Sequence, residues 1–203
     1  MNWFVQQLLM WVISNKVEGI ATKMWVSNTV AKQAVALAVP LIITYLFKNS
    51  SSEEGKVWLD KALVEHGQEV DQNPNDIDLS DGLKMIGHIF WSDKTQVVDE
   101  LSQKTGLKPD QATDIMGLLS KYVMWNMGKV KQESWLDADG IVWLLWWAKQ
   151  VIDTPSDTNW WSGMVDSLLT MALDKDKDGS YKDDLLSQGA QLLMWKLFGG
   201  GKS

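Results

Sequence analysis

The sequence predicts an all-α protein: internally duplicated helix-turn-helix units, followed by a C-terminal helical segment with an acidic, EF-hand-like loop. Three observations lead there. Apolar residues recur at three- and four-residue steps through most of the chain, and alternation with period two is scarce. One helix-turn-helix pattern occurs twice. Near the C-terminus, Asp174, Asp176 and Asp178 precede Gly179 at the spacing that opens a calcium-binding turn.

The elements follow in order. "MNWFVQQLLMWVISNK" is apolar, but it has no early Lys or Arg, two Gln interrupt it, and no small-residue cleavage site follows. It reads as a helix rather than a signal peptide. Ser27 is a candidate N-cap for a long helix whose face is Val30, Ala31, Ala34, Val35, Ala38, Leu41, Ile42 and Tyr45. Pro40 should kink it, since it removes a backbone donor and crowds the preceding turn. The run "AVALAVPLIITYLF" (Ala34 to Phe47) has 14 residues. A membrane span needs about 20, so a buried helix is expected. "NSSSEEG" supplies N-cap material for the next helix. "HGQEVDQNPNDIDLSDG" (His66 to Gly82) is rich in Asn, Asp, Gly and Pro and reads as a linker or long loop. Pro109 occupies a natural first helical position, and Ala112, Ile115, Met116, Leu119, Tyr122 and Val123 repeat the helical face. Then come the apolar "IVWLLWWAKQVI", the loop "DTPSDTNWWSG", the helix "MVDSLLTMAL", the acidic loop, a last helix and a Gly-rich tail.

Offset by 81 positions, "IATKMWVSNTVAKQAVAL" lies over "LSQKTGLKPDQATDIMGL". Lys23 meets Lys104, Ala31 meets Ala112, Leu37 meets Leu118 and Trp25 meets Gly106. Both copies read short helix, tight turn, N-cap, long helix. The expected organisation is a first repeat over 1–66, a polar linker over 67–83, a second repeat over 84–150 and a C-terminal part over 151–203, together forming one compact domain.

Composition excludes several functions. The net charge is −7, all 19 basic residues are Lys, and they are scattered. Arg is the main reader of guanine and a strong phosphate clamp, so nucleic acid is not an expected partner. With no Cys, thiolate metal sites, disulfides and Cys nucleophiles are excluded.

The acidic loop "DKDKDGSYKDD" carries the candidate site. Calcium takes six to eight oxygens, and alternate carboxylates on a tight turn supply them. Asp174, Asp176 and Asp178 take positions 1, 3 and 5, and the Ser180 carbonyl falls at position 7. Position 12, ordinarily a bidentate Glu, is Leu185, so Asp183 and Asp184 must substitute from the following helix. The bland alternative is a solvated turn whose acids favour a helix N-terminus. The missing Glu and intervening lysines predict weak affinity or a structural role. A second cluster, "LDADGI", has only two alternating Asp and reads as a helix start. His88, in "MIGHIFW", reads as a hydrogen-bonded core residue, and His66 as a helix cap. No phosphate loop, dinucleotide fingerprint or nucleophile elbow occurs.

The runs "VEGIATK", "QAV…AVPLI", "IGHIF", "LSQKTGLKPDQA" and "DKDKDGSYKDDLL" together resemble the bacterial YidB-like family, also called domain of unknown function 937. The resemblance extends over nearly the whole chain. It implies an all-α, internally duplicated bacterial protein with no established activity and an Asp-rich loop near the C-terminus. One departure stands out: where that family tends to have Gly, this chain has Trp. Trp143, Trp146 and Trp147 fall where it reads like "GLLGGA". Trp91, Trp135, Trp160, Trp161 and Trp195 also stand at or beside turns. The chain has 13 Trp against 4 Phe and 3 Tyr, an inversion of normal usage. Some bacterial lineages read UGA as glycine, and another translation table reads it as Trp, so the expectation is that these positions are recoded UGA codons; the alternative is a truly Trp-rich or engineered chain. If the indoles are real, they should be crowded, strained at turns or unusually exposed.

The expected function is non-enzymatic: a soluble, cytoplasmic helical scaffold or interaction module with a weak or structural calcium site and no other cofactor. A protein partner suits that reading, with the partner and oligomeric state open. A membrane-interface protein using Trp-rich helices is the alternative.

Overall fold

The computed structural model describes residues 3–66 and 73–153, and every regular element among them is helical. In chain order these are α1 (Trp3–Asn15), α2 (Val17–Met24), α3 (Asn28–Ser50), α4 (Glu53–His66), a 3-10 turn (Pro74–Asp76), α5 (Leu79–Phe90), a second 3-10 turn (Trp91–Asp93), α6 (Lys94–Thr105), α7 (Pro109–Glu133) and α8 (Ala138–Asp153). The chain divides into two compact units, Met1–Lys149 and Gln150–Ser203, and nearly all described residues belong to the first.

The two longest helices, α3 and α7, form the centre. They pack on each other, and each also packs against α1, α2, α4, α5 and α6. The sequence periodicity explains why. On α3 the buried positions include Ala31, Ala34, Val35, Ala38, Ile42 and Leu46; on α7 they include Ala112, Ile115, Met116, Leu119, Tyr122 and Val123. Each fully buried Ile, Leu or Val contributes roughly 1.5–3 kcal/mol of transfer free energy, so this stripe outweighs local propensity. α3 is long and apolar enough to cross a membrane by length and composition, but half of its apolar window is buried within the protein. It continues through Pro40 without a break.

Side-chain caps fix where helices begin. Ser27 Oγ accepts from the Val30 amide at 3.2 Å, Ser52 Oγ from Gly55 at 3.1 Å, Asp78 Oδ1 from Ser80 at 2.9 Å and Asp137 Oδ1 from Gly140 at 2.8 Å. The Asp137 cap makes "LDADGI" a helix start, as expected. The Asp78 cap starts α5 at Leu79, so the end of the expected 67–83 linker is helical. α5 and α7 approach backbone to backbone: a Cβ added to Gly82 would lie 2.4 Å from the Gly117 carbonyl oxygen. Only glycine permits that crossing.

Helix ends are set by left-handed residues. Trp25 closes α2 at φ 55° and ψ 44°, and Gly106 closes α6 at φ 71° and ψ 12°. Past Trp25, the Val26 amide donates to the Ala21 carbonyl at 3.0 Å; past Trp135, the Leu136 amide donates to the Lys131 carbonyl at 3.0 Å. Both are the six-to-one bond of a Schellman ending, which places its intervening residue in the left-handed well. Trp135 stands there at φ 52°.

Candidate functional site

α4, α5 and α7 enclose an open cleft of about 250 Å³. Its apolar floor is Ala62 from α4, Met85 and Ile89 from α5, and Met124 from α7, all buried. Charged and aromatic side chains stand around that floor: Trp58, Lys61, Glu65 and His66 from α4, and Asp81, Lys84 and His88 from α5.

Asp81 organises one end. It lies in the first turn of α5, where a carboxylate complements the helix dipole. Its Oδ2 is 3.4 Å from His66 Nδ1, at the C-terminal end of α4, and 3.6 Å from Lys121 Nζ on α7. One carboxylate thus joins three helices. The His66 and Lys121 side chains are only 17% and 11% exposed, which reduces the solvent screening that makes surface pairs weak. At the other end the His88 ring lies 5.6 Å from Trp58, tilted by 33°, and 6.4 Å edge-to-face from Trp91. No hydroxyl or thiol lines the cleft among the described residues.

Two expectations change. His88 is exposed rather than a core residue: the buried face of α5 is Gly82, Met85, Ile86, Ile89 and Phe90, and helical rotation turns His88 away from it. His66, expected as a helix cap, pairs with a carboxylate on the next α-helix. The chain's two histidines line one cleft, a juxtaposition that no interval in the sequence marks.

A second polar cluster ties α3 to the turn after α5. Tyr45 donates to Asp93 Oδ2 at 3.1 Å, and Lys48 Nζ lies 3.3 Å from the same oxygen. Burial first, then the hydrogen bond to Asp93, raises the Tyr45 hydroxyl above its ordinary value. The Tyr45 hydrogen bond, followed by those from Lys48 and Ser92, holds the Asp93 carboxyl below its ordinary range.

No group of three or more His, Asp or Glu able to hold a metal occurs among the described residues. The candidate calcium ligands Asp174, Asp176, Asp178, Ser180, Asp183 and Asp184 lie outside the described residues, as do Trp160, Trp161 and Trp195.

The model of one bacterial protein family of unknown function, DUF937, matches residues 6–130. This chain belongs to the DUF937 family. The matched span runs from α1 nearly to the end of α7, so it includes both central helices and all three walls of the cleft. It stops short of α8 and of the acidic loop, a narrower extent than the motif resemblance suggests. No curated protein and no solved structure matches the chain. The DUF937 assignment carries a family without an activity, so function has to be argued from the residues.

Proposed function

We propose that this DUF937 protein is a non-catalytic, cytoplasmic helical interaction module, built from a duplicated unit and adjusted by a weak calcium site in its C-terminal loop. The cleft between α4, α5 and α7 carries the interaction reading. Its cations and carboxylates are set around an apolar floor, as at a surface that orients a partner's side chains. Its lining pairs His66 with Asp81 but, among the described residues, offers no hydroxyl or thiol for that pair to activate, which favours binding over nucleophilic catalysis. Helix bounds support the duplication: α3 starts at Asn28 and α7 at Pro109, the same offset that separates Trp25 from Gly106. The calcium part rests on the Asp174, Asp176, Asp178 and Gly179 spacing alone.

A photo-crosslinking residue at Lys61 or Lys84 tests the cleft in cells, with the same residue at exposed Gln103 as control. A discrete adduct from the cleft positions, lost when Asp81→Asn is added, is expected. Equal labelling from Gln103 would remove the interaction reading. Calcium is tested separately by melting temperature, because a ligand of the folded state stabilises it by mass action. A rise at millimolar calcium, abolished by Asp176→Asn, is expected, and no shift removes the calcium site.

Exposure of Trp143 (51%) and Trp146 (43%) on α8 favours a second reading, attachment at a membrane interface. It depends on those indoles being present. Co-sedimentation with neutral and anionic vesicles decides it, and no binding to either eliminates it.

A further inference from the structure

Among the described residues, positive φ occurs at one glycine, Gly106, and at three other residues, all tryptophan: Trp25 at 55°, Trp91 at 46° and Trp135 at 52°. We infer that positions 25, 91 and 135 are glycine in the protein made by its native host, and that each written Trp there stands for a UGA codon.

Three independent features carry this. The first is conformational. A Cβ in the left-handed well presses on the following carbonyl, and a bulky residue there is a true outlier. Trp91 is worse placed, since its φ of 46° with ψ of −123° is the glycine position of a type II′ turn. Trp25 and Trp135 fill the left-handed slot of two Schellman endings, where glycine is the usual occupant. Trp25 also matches Gly106 in the turn before the other long helix.

The second feature is the absence of compensation. A strained residue persists where packing or function returns the cost. Trp25 is 92% exposed, Trp91 67% and Trp135 93%, so these rings bury little in exchange. Trp11 differs on both counts: it packs 5.3 Å edge-to-face on Tyr122 from an ordinary helical position.

The third is statistical. Non-glycine residues at positive φ are uncommon and are enriched in Asn and Asp rather than Trp. With 13 Trp among 203 residues, three such positions all falling on Trp by chance has odds on the order of one in a few thousand. UGA differs by one base from both the standard Trp codon and a Gly codon, and bacterial codes exist that read it either way. One recoded codon therefore produces all three coincidences at once.

The inference is independent of the interaction reading and deprives the membrane reading of its residues if it extends to α8. Its test is the coding DNA together with peptide mass spectrometry of the protein from native cells. UGA at codons 25, 91 and 135 with glycine in the corresponding peptides is expected. UGG codons, or tryptophan in those peptides, overturn it. A second measurement uses the chain as written. Trp25→Gly, Trp91→Gly and Trp135→Gly should each raise the melting temperature by roughly 2–4 °C. The matching alanine variants should melt below the glycine ones, because alanine keeps the Cβ. Gly106→Trp should lower it. Glycine variants that melt no higher than alanine variants overturn the conformational basis.

Discussion

The Gln111 side chain donates from Nε2 to the Met24 carbonyl at 2.7 Å, across 87 residues, while its Oε1 accepts from the Lys108 amide at 3.0 Å. One amide therefore caps the start of α7 and closes the end of α2. It holds the two helix-turn-helix segments in register at the ends of the central helices. Gln111→Ala leaves the partly buried Met24 carbonyl and the Lys108 amide without these partners. A loss of about 1–2 kcal/mol is expected, read by denaturant unfolding. Gln111→Glu should recover only the Lys108 half, because a carboxylate cannot donate to Met24.

The Gly82–Gly117 crossing predicts an asymmetry. A Cβ on Gly82 meets the Gly117 carbonyl oxygen at 2.4 Å, whereas a Cβ on Gly117 meets its nearest atom, the Gly82 carbonyl carbon, at 3.2 Å. Gly82→Ala should destabilise by roughly 1–3 kcal/mol, as overpacking does. Gly117→Ala should cost less, because neighbours need move only a few tenths of an ångström. Thermal melts of the two variants compare them directly.

Tyr45 and Asp93 give a pH-dependent contribution. Asp93 is held below its ordinary value of 3.8, so its contribution is present above that value and lost as pH falls through the lower folded value. Tyr45 is raised above 10.0, so its contribution is complete below that value and lost as pH rises through the folded one. Tyr45→Phe removes the Tyr45 contribution and the part of the Asp93 contribution that its hydrogen bond supplies, leaving the Lys48 and Ser92 part in place. The gap in melting temperature between the two proteins should stay constant near neutral pH and narrow at both extremes.

Asp114 points the opposite way. Burial, then the charge of Asp110, raises its carboxyl above 3.8, with Lys23 offsetting part of the effect. Its folded form is favoured by protonation, so near neutral pH the ionised carboxylate opposes folding. Asp114→Asn should raise the melting temperature at pH 7, and the gain should shrink on acidification.

The central helices were legible because burial writes itself into spacing. Ala31, Ala34, Val35 and Ala38, like Ala112, Ile115, Met116 and Leu119, recur at helical intervals and are buried where that rule places them. Turns were legible through Trp25 and Gly106, because a repeat exposes a residue that breaks its partner's chemistry. The cleft was not. His66, Asp81 and Lys121 come from three helices, and a tertiary pairing leaves no interval in the sequence. His88 reads as a core residue only because its immediate neighbours in the sequence are apolar. Counting the helical face through Met85, Ile86, Ile89 and Phe90 would have set it outside.

The left-handed turns also bear on how this protein should be made. A host that inserts tryptophan at 25 and 135 produces a surface with two indoles more than nine-tenths in water, on a chain that already shows Trp143 and Trp146. Such rings are adhesive. Self-association or precipitation in that preparation would belong to the host's tRNA repertoire, and choosing the expression system becomes part of determining what the molecule is.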